Sequence, residues 1–454
     1  MPGPTNIITD TELSGLLKNV YSQFREKVQN LVTPLLAQLQ KGKAGGPRNL
    51  RWGGNDVFFD VVTGRPSGAV FSPNGFFPED TFASEKQARV RVARAYVTRQ
   101  IDGLAFVGTQ SKEAAFTSIA KKTMEEIKDA STLLMQQALH NKADGVCALA
   151  VTAGATTTSF GVTSPYGVVD ATNQNQGALL LAVGDSIAVL TGASGTTSKG
   201  KTRITAIGAP DSVTGVSTIT VSPALGSAPA NPDRIVKLSN NASEAYPADP
   251  NASAFAMNGL ISITNRAAGY NSLHGIDAAT DTIWNATQMV AGTDTPDATA
   301  PTESDIWDLI QRVSARSGKD ALTRPQEFLL MGTPGLGKKL MESMVGQRRF
   351  TASEFSTTIK GGYKAIEVCG IPFVMDYYVP LGTIYLLHLP SLAWVDAKDW
   401  GFVEFEGAGP WRWLQGRDAF ETTYGYYGNL ACLARNAHGS IRGYVDTVKY
   451  SHLI

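Results

Sequence analysis

The chain has little of what secreted, membrane-spanning or metal-dependent proteins rely on. Its three cysteines, Cys147, Cys369 and Cys432, are odd in number and form no CxxC pair, which argues against a disulfide framework and for a reducing compartment. No apolar run approaches the ~18–20 residues of a membrane span, and ALLLAVGDSIAVL (178–190) is interrupted by Asp185. MPGPTNIITDTELSG has neither the basic nor the apolar region of a secretory signal. The N-x-S/T sequons at Asn241, Asn251 and Asn285 therefore read as accidents. The five histidines show no HxxxH or HExxH spacing, and His388, inside an apolar strand, reads as a satisfied core residue. The acidic stretch DTDTPDATAPTESD (292–305) lacks the glycine and terminal glutamate of a calcium loop. No metal and no cofactor are expected. Charge is scarce too: 18% of residues are charged, and they cancel to zero. A neutral chain lacks the repulsion that keeps copies apart, so self-association is expected.

With 454 residues, the chain exceeds the roughly 250–300 at which one core stops growing, so two or three units are expected. Residues 1–142 carry 18 Lys/Arg against 13 Asp/Glu, and the remainder 22 against 27. A capping box at Thr9–Glu12 opens an amphipathic pattern from Leu13 to Leu35, which Pro34 should kink or end. KGKAGGPRNLRWGG (41–54) reads as a flexible basic arm. VFFDVV (57–62), a Pro/Gly-rich tip and a return run from Lys86 to Thr98 read as a long two-stranded ribbon, marginal alone in water. SKEAAFTSIAKKTMEEIKDASTLLMQQALHNKADG (111–145) is the strongest helix. DSIAVL, TRITAI, STITVS and RIVKL, spaced by turn residues between about 150 and 250, read as an all-β barrel or sandwich. From 254 onward the pattern is mixed α/β, with an aromatic-rich, strand-rich close at 401–445.

GTPGLGKK (332–339), following the apolar run Phe328–Met331, has the skeleton of a phosphate-cradling loop. Two features weigh against a nucleotide. Lys339 stands where a Mg²⁺-binding Ser or Thr belongs, and Pro334 removes a backbone donor. Asp376, ending the run Phe373–Met375, mimics the metal-supporting acid. The expected reading is a strand turned tightly by glycines into a helix at Lys338–Met344, with an ATP-binding enzyme as the alternative. Trp400, Trp411, Trp413, Tyr424, Tyr426 and Tyr427 suit core or subunit packing, with a carbohydrate-binding face as the other reading.

Basic arm, extended loop, spine helix, β insertion and α/β half follow in an order that resembles the major capsid proteins of tailed bacteriophages, the Hong Kong 97-type fold. YNSLHGIDAATDTIWNA (270–286), VCGIPFVMDYYVPLGTIYLL (368–387) and YYGNLACLARNAHGSIRGY (426–444) are similar to stretches of that family. The resemblance implies an α+β fold: N-terminal arm 1–53, extended loop 54–100, P-domain with spine helix 101–152, inserted barrel 153–250, A-domain 254–395 and return strands 396–454. It implies no catalysis or cofactor, but hexamers and pentamers forming an icosahedral shell around double-stranded DNA, assembled in the host cytoplasm. Scaffolding, portal and decoration proteins are the implied partners, with no membrane. The family's crosslinking residues find no match here. On this reading the loop tip (Arg65, Pro66, Asn74, Gly75, Phe76) contacts a neighbouring subunit, and Lys41, Lys43, Arg48 and Arg51 of the arm help lock adjacent capsomers.

Overall fold

Alternating stretches form strands, but the alternation does not reveal which sheet each strand joins. The computed structural model describes residues 7–8, 34–39, 46–51, 56–64, 71, 75, 83–108, 119–152, 154–164, 178–192, 197–209, 211, 216–238, 245–247, 255–265, 272–345, 358–359, 363–364, 366–404 and 409–446. Strand β1 (Ile7–Ile8), helix α1 (Pro34–Gln38) and β2 (Arg48–Arg51) belong to the arm. Pro34 is the first residue of α1, where its missing N–H costs little. A wholly flexible 41–54 is not what the structure shows. Arg48–Arg51 runs parallel to Ala393–Asp396, because Leu50 between the arginines packs on Val57, Val90 and Val395.

β3 (Asp56–Val62) and β4 (Glu85–Arg91) pair as an antiparallel ribbon from Asp56↔Arg91 to Val62↔Glu85. The return run is shorter than the sequence suggests. It breaks at Val92, and β5 (Ala93–Asp102) crosses to another sheet. Phe59 and Val61 pack on the chain's own Ile276, Ala278 and Trp284, while Phe58 and Val62, on the other face, are 53% and 58% exposed. At the base, Asp56 accepts from Arg89 Nε at 2.6 Å and Arg91 Nε at 3.1 Å. The ribbon base is thus supported within its own subunit, and does not wait for a neighbour as its marginal length would suggest.

A short helix α2 (Gly103–Gly108) leads to the spine helix α3 (Ile119–His140), about 33 Å long at 1.5 Å per residue; residues 111–118 of the expected helix lie outside the described residues, and it ends at His140 rather than Gly145. Next, β6 (Val146–Val151), β7 (Ser159–Thr163), β8 (Ser186–Leu190), β9 (Ser198–Ile207), β10 (Ser217–Ser222) and β11 (Arg234–Lys237) close a barrel in the order β10-β7-β6-β11-β8-β9. The barrel strands begin at Val146, ahead of the expected 153. The barrel core, with Phe160, Val162, Val189 and Ile235, continues into Leu133 of α3, Ile261 and Tyr378, and Lys237 Nζ reaches Gln137 of α3 at 3.4 Å. The barrel is therefore docked on the spine.

Helix α4 (Leu260–Thr264), the hairpin β12 (Ser272–Leu273) and β13 (Ile276–Asp277), β14 (Thr287–Val290) and α5 (Glu303–Ser317) follow. Thr302 and Asp305 cap α5 reciprocally, and Gly318 ends it in the left-handed region. Then come β15 (Phe328–Gly332), α6 (Pro334–Val345), β16 (Thr358–Ile359), β17 (Tyr363–Lys364), β18 (Ile366–Val368), β19 (Ile371–Met375) and β20 (Ile384–His388). The chain closes with β21 (Leu392–Phe402), β22 (Arg412–Trp413), β23 (Ala419–Cys432) and β24 (Gly439–Arg442). Two sheets result: β1-β5-β23-β21-β2, with β22 on β23, and β14-β24-β20-β15-β19-β18. The chain passes between them three times, once through the spine and barrel from β5 to β14 and twice directly, from β20 to β21 and from β23 to β24. Leu35 and Leu39 of the arm, Met135 and Leu139 of the spine, Leu260 and Ile263 of α4, and Trp394, Tyr426 and Leu430 share the core between the sheets.

Gly259 marks the tightest approach there. A Cβ at this position would lie 2.2 Å from Asn141 O, 2.6 Å from Ala138 O and 2.7 Å from Leu139 O. These are backbone atoms at the end of the spine, and they cannot turn aside. Gly259→Ala is expected to lower stability by about 1–3 kcal/mol, read as a lower urea midpoint; an unchanged midpoint would show that α4 can slide away from the spine.

Candidate functional site

The phosphate-loop pattern does not build a cradle. Strand β15 is buried throughout, and α6 begins at Pro334, four residues before the expected start, so Gly335 and Gly337 lie inside the helix. The turn is made by Thr333. Its Oγ1 accepts from Leu336 N at 3.3 Å, and its carbonyl accepts from Gly337 N at 3.0 Å. Gly332 and Gly337 serve packing rather than turning: a Cβ would meet the Phe373 ring at 2.8 Å and Met375 Cε at 2.9 Å, respectively. Lys338 is 71% exposed with Glu342 at 3.7 Å. Lys339 Nζ donates to Thr299 O at 2.8 Å and to Val445 O.

Asp376 has a different task from the one its position mimics. Fully buried, its Oδ2 meets Gln136 Nε2 at 2.5 Å and His140 Nε2 at 3.0 Å, and its Oδ1 accepts from Tyr378 N at 2.9 Å. Gln136 in turn accepts from Leu36 N of α1 at 3.1 Å. Arm, spine and second sheet are thus tied through one carboxylate. Among the described residues, no three His, Cys, Asp or Glu side chains gather to hold a metal ion.

The two direct crossings between sheets form a joint built on imidazoles. Lys319 Nζ donates to Ser391 Oγ at 2.9 Å, so the Ser391 hydroxyl turns to His388 Nδ1 at 2.6 Å, leaving Nε2–H for Glu327 at 3.2 Å. The connectivity is that of a Ser-His-Glu triad, but Ser391 is 1% exposed, with no room for a reacting substrate, so the group holds the joint. His438 Nδ1 accepts from His388 N at 3.3 Å, and His274 Nε2 accepts from Cys432 N at 2.9 Å. A nitrogen accepting from a backbone N–H must stay unprotonated. Burial pushes His388 down to about 4, with Lys319 adding repulsion, and His274 and His438 down to about 3. Arg435, fully buried beside them, donates to Ser262 O, Ile263 O and Asn265 O at 2.8–3.1 Å, closing the end of α4. Sequence spacing gave no sign of this set, because its members come from five separate stretches.

Of the expected contact residues, Arg65, Pro66, Asn74, Phe76, Lys41 and Lys43 lie outside the described residues. Gly75 is exposed with φ +74, Arg48 is exposed at the N-terminal end of β2, and Arg51 ends that strand. The aromatics sort into core and surface. Tyr426 is buried with its hydroxyl on Asp396, Trp400 stacks on Tyr424 and Tyr426 at 5.3 Å, and Trp413 lies edge-on to Phe420 and half exposed.

No family model and no curated protein matches the chain. Solved structures do. The capsid asymmetric unit of cyanophage A-1(L) superposes with a TM-score of 0.53 at 11% identity, over 96% of this chain and 99% of that one. An encapsulin complex from Synechococcus elongatus gives 0.46 at 9% identity, covering 95% of each chain, and the capsid of a native GTA particle 0.45 at 8%, covering 96% and 99%. The chain has the phage capsid fold. In Hong Kong 97-type terms, β3–β4 is the extended loop, α3 the spine, and the closed six-stranded barrel an addition that follows the spine and precedes α4.

In this capsid fold the joint is where sensitivity to acid is expected. The folded pKa values of His274, His388 and His438 lie below the ordinary 6.5, so the unfolded chain binds more protons between about pH 6.5 and 4. Stability present above pH 6.5 is expected to drain away on acidification, by at most about 1.4 kcal/mol per pH unit for each histidine. Urea midpoints from pH 7.5 to 4.5 check this, and His438→Gln should flatten the slope; a flat wild-type profile would refute it.

Proposed function

We propose that this chain is the major capsid protein of a tailed double-stranded DNA bacteriophage, assembling as hexamers and pentamers into an icosahedral shell around the packaged genome. The observation that supports it is the full-length match to a phage capsid subunit, together with where this chain leaves apolar surface. The ribbon presents Phe58 and Val62 on one face and Phe71 beyond its described strands, all exposed in the lone subunit. Exposed apolar side chains on the ribbon's outer face favour burial against another surface, at about 25 cal/mol per Å².

The subunit's work is mechanical. Its joint and spine fix the angle between the two sheets, and the ribbon tip (Arg65, Pro66, Asn74, Gly75, Phe76) lies on a neighbour. The arm, with Lys41, Lys43, Arg48 and Arg51, locks adjacent capsomers and makes incidental contact with DNA. The docked barrel clamps neighbours on the outer face. A scaffolding protein sets curvature during assembly in the host cytoplasm, a portal occupies one vertex, and decoration proteins are further partners.

Electron microscopy and sedimentation of the purified full chain, alone and with its scaffolding partner, are expected to show closed shells. Deleting residues 63–78 should leave a folded subunit, because the ribbon base is held in cis, but reduce shells to background. Closed shells from the deletion would remove the ribbon from the mechanism, and a protein that stays a lone subunit under all assembly conditions would remove the function.

A further inference from the structure

Strand β5 has an open edge. On one side it pairs with β23 over its whole length, from Ala93↔Gly428 to Asp102↔Ala419. On the other side β1 covers two positions, Ile7 beside Gln100 and Ile8 beside Ile101. Among the described residues, no strand lies along Ala93–Arg99 on that side. Arg94, Tyr96, Thr98 and Arg99 are exposed, so this part of β5 can be reached from outside the subunit. A row of unpaired backbone N–H and C=O groups is a template for a strand of another chain.

The sheet order β1-β5-β23-β21-β2 puts β1 and β2, both from the arm, at opposite edges. From Pro34 onward the arm is fastened within its own subunit. Leu36 N donates to Gln136, Trp394 Nε1 donates to Leu39 O at 2.7 Å, and β2 pairs with β21. Between this anchor and β1 lie residues 9–33, outside the described residues. Crossing the sheet takes four strand spacings, about 19 Å, whereas these 25 residues reach about 80 Å when extended. The tether is long enough to serve a neighbour's edge as well as its own. A two-residue ladder makes few hydrogen bonds, each contributing about 1 kcal/mol net. Little commits β1 to the subunit it belongs to.

We propose that the open edge of β5 is a strand-acceptor site, filled in the assembled protein by Ile7–Ile8 of a second copy of this chain in the same parallel register; this rests on the self-assembly reading above. The hydrogen bonds made within one subunit are remade between two, so exchange costs little. Local concentration decides which edge is used. A dilute subunit fills its own, and copies held side by side offer one another the same edge. Each exchanged arm then ties two folded cores through its own backbone.

Ile7→Cys and Gln100→Cys, carried on separate full-length chains and mixed under assembly conditions, read the exchange directly, because paired positions on adjacent strands lie within disulfide reach. Oxidation is expected to give a disulfide-linked dimer from the mixture and none from either variant alone, which controls for the partly exposed Cys369. A mixture without the dimer overturns the proposal. Shells without dimers end strand exchange and leave self-assembly standing, whereas dimers without shells support exchange and count against the shell. Should either variant fail to fold, deletion of residues 1–8 gives a second reading. The dilute subunit is expected to keep its melting midpoint within about 2 °C, while association weakens at least about tenfold. Association equal to wild type, or a midpoint lowered further, overturns the exchange.

Discussion

Asp376 is a carboxylate with no exposure to water, and the arrangement of the subunit depends on how that charge is satisfied. A buried acid is tolerable only with donors around it. Here they come from the spine helix, through Gln136 and His140, and from the backbone of Tyr378. Because Gln136 also receives Leu36 N, the position of the arm relative to the second sheet is set through one side chain. Sliding the spine by a turn would leave the acid without side-chain donors, so the helix has a defined register against β19.

Around that tie, the molecule divides into parts that are rigid in cis and parts that offer themselves outward. The joint of His274, His388, His438 and Arg435 uses polar groups whose every described bond runs back into the chain. The ribbon does both. Its odd-numbered face is anchored on Trp284 and its neighbours, and its even-numbered face, with Phe58 and Val62, is uncovered. A stiff base with an apolar outward face can commit to a neighbour without first ordering itself, which lowers the entropic cost of association.

Legibility followed burial geometry. STITVS could be read because β10 alternates buried and exposed without a break, whereas DSIAVL and RIVKL, buried at most positions, could be read only as apolar β-branched runs set between turn residues. VCALAV and SFGVT, β6 and β7, are also buried at most positions and show no period, and the first follows the spine helix so closely that the barrel starts at Val146 rather than 153. KQARVRVARAYVT reads as one strand because its alternation continues past Val92, while the partner changes there from β3 to β23. Arg435 and Arg442 look alike in the sequence; carbonyls of a distant helix accept from Arg435, whereas among the described residues none accepts from Arg442 Nε or Nη2.

Composition and periodicity by themselves determined the classes of element and the order in which they follow one another. These depend on local propensity and on side-chain periodicity, which the chain carries wherever it goes. Only the tertiary structure decided that GTPGLGKK is a capped helix start, that the arm contributes a sheet strand, that the ribbon is held at its base, and that three distant histidines and Arg435 meet at one joint. Each of these turns on atoms contributed by residues tens to hundreds of positions away, and pairing at that range is set by packing rather than by local pattern.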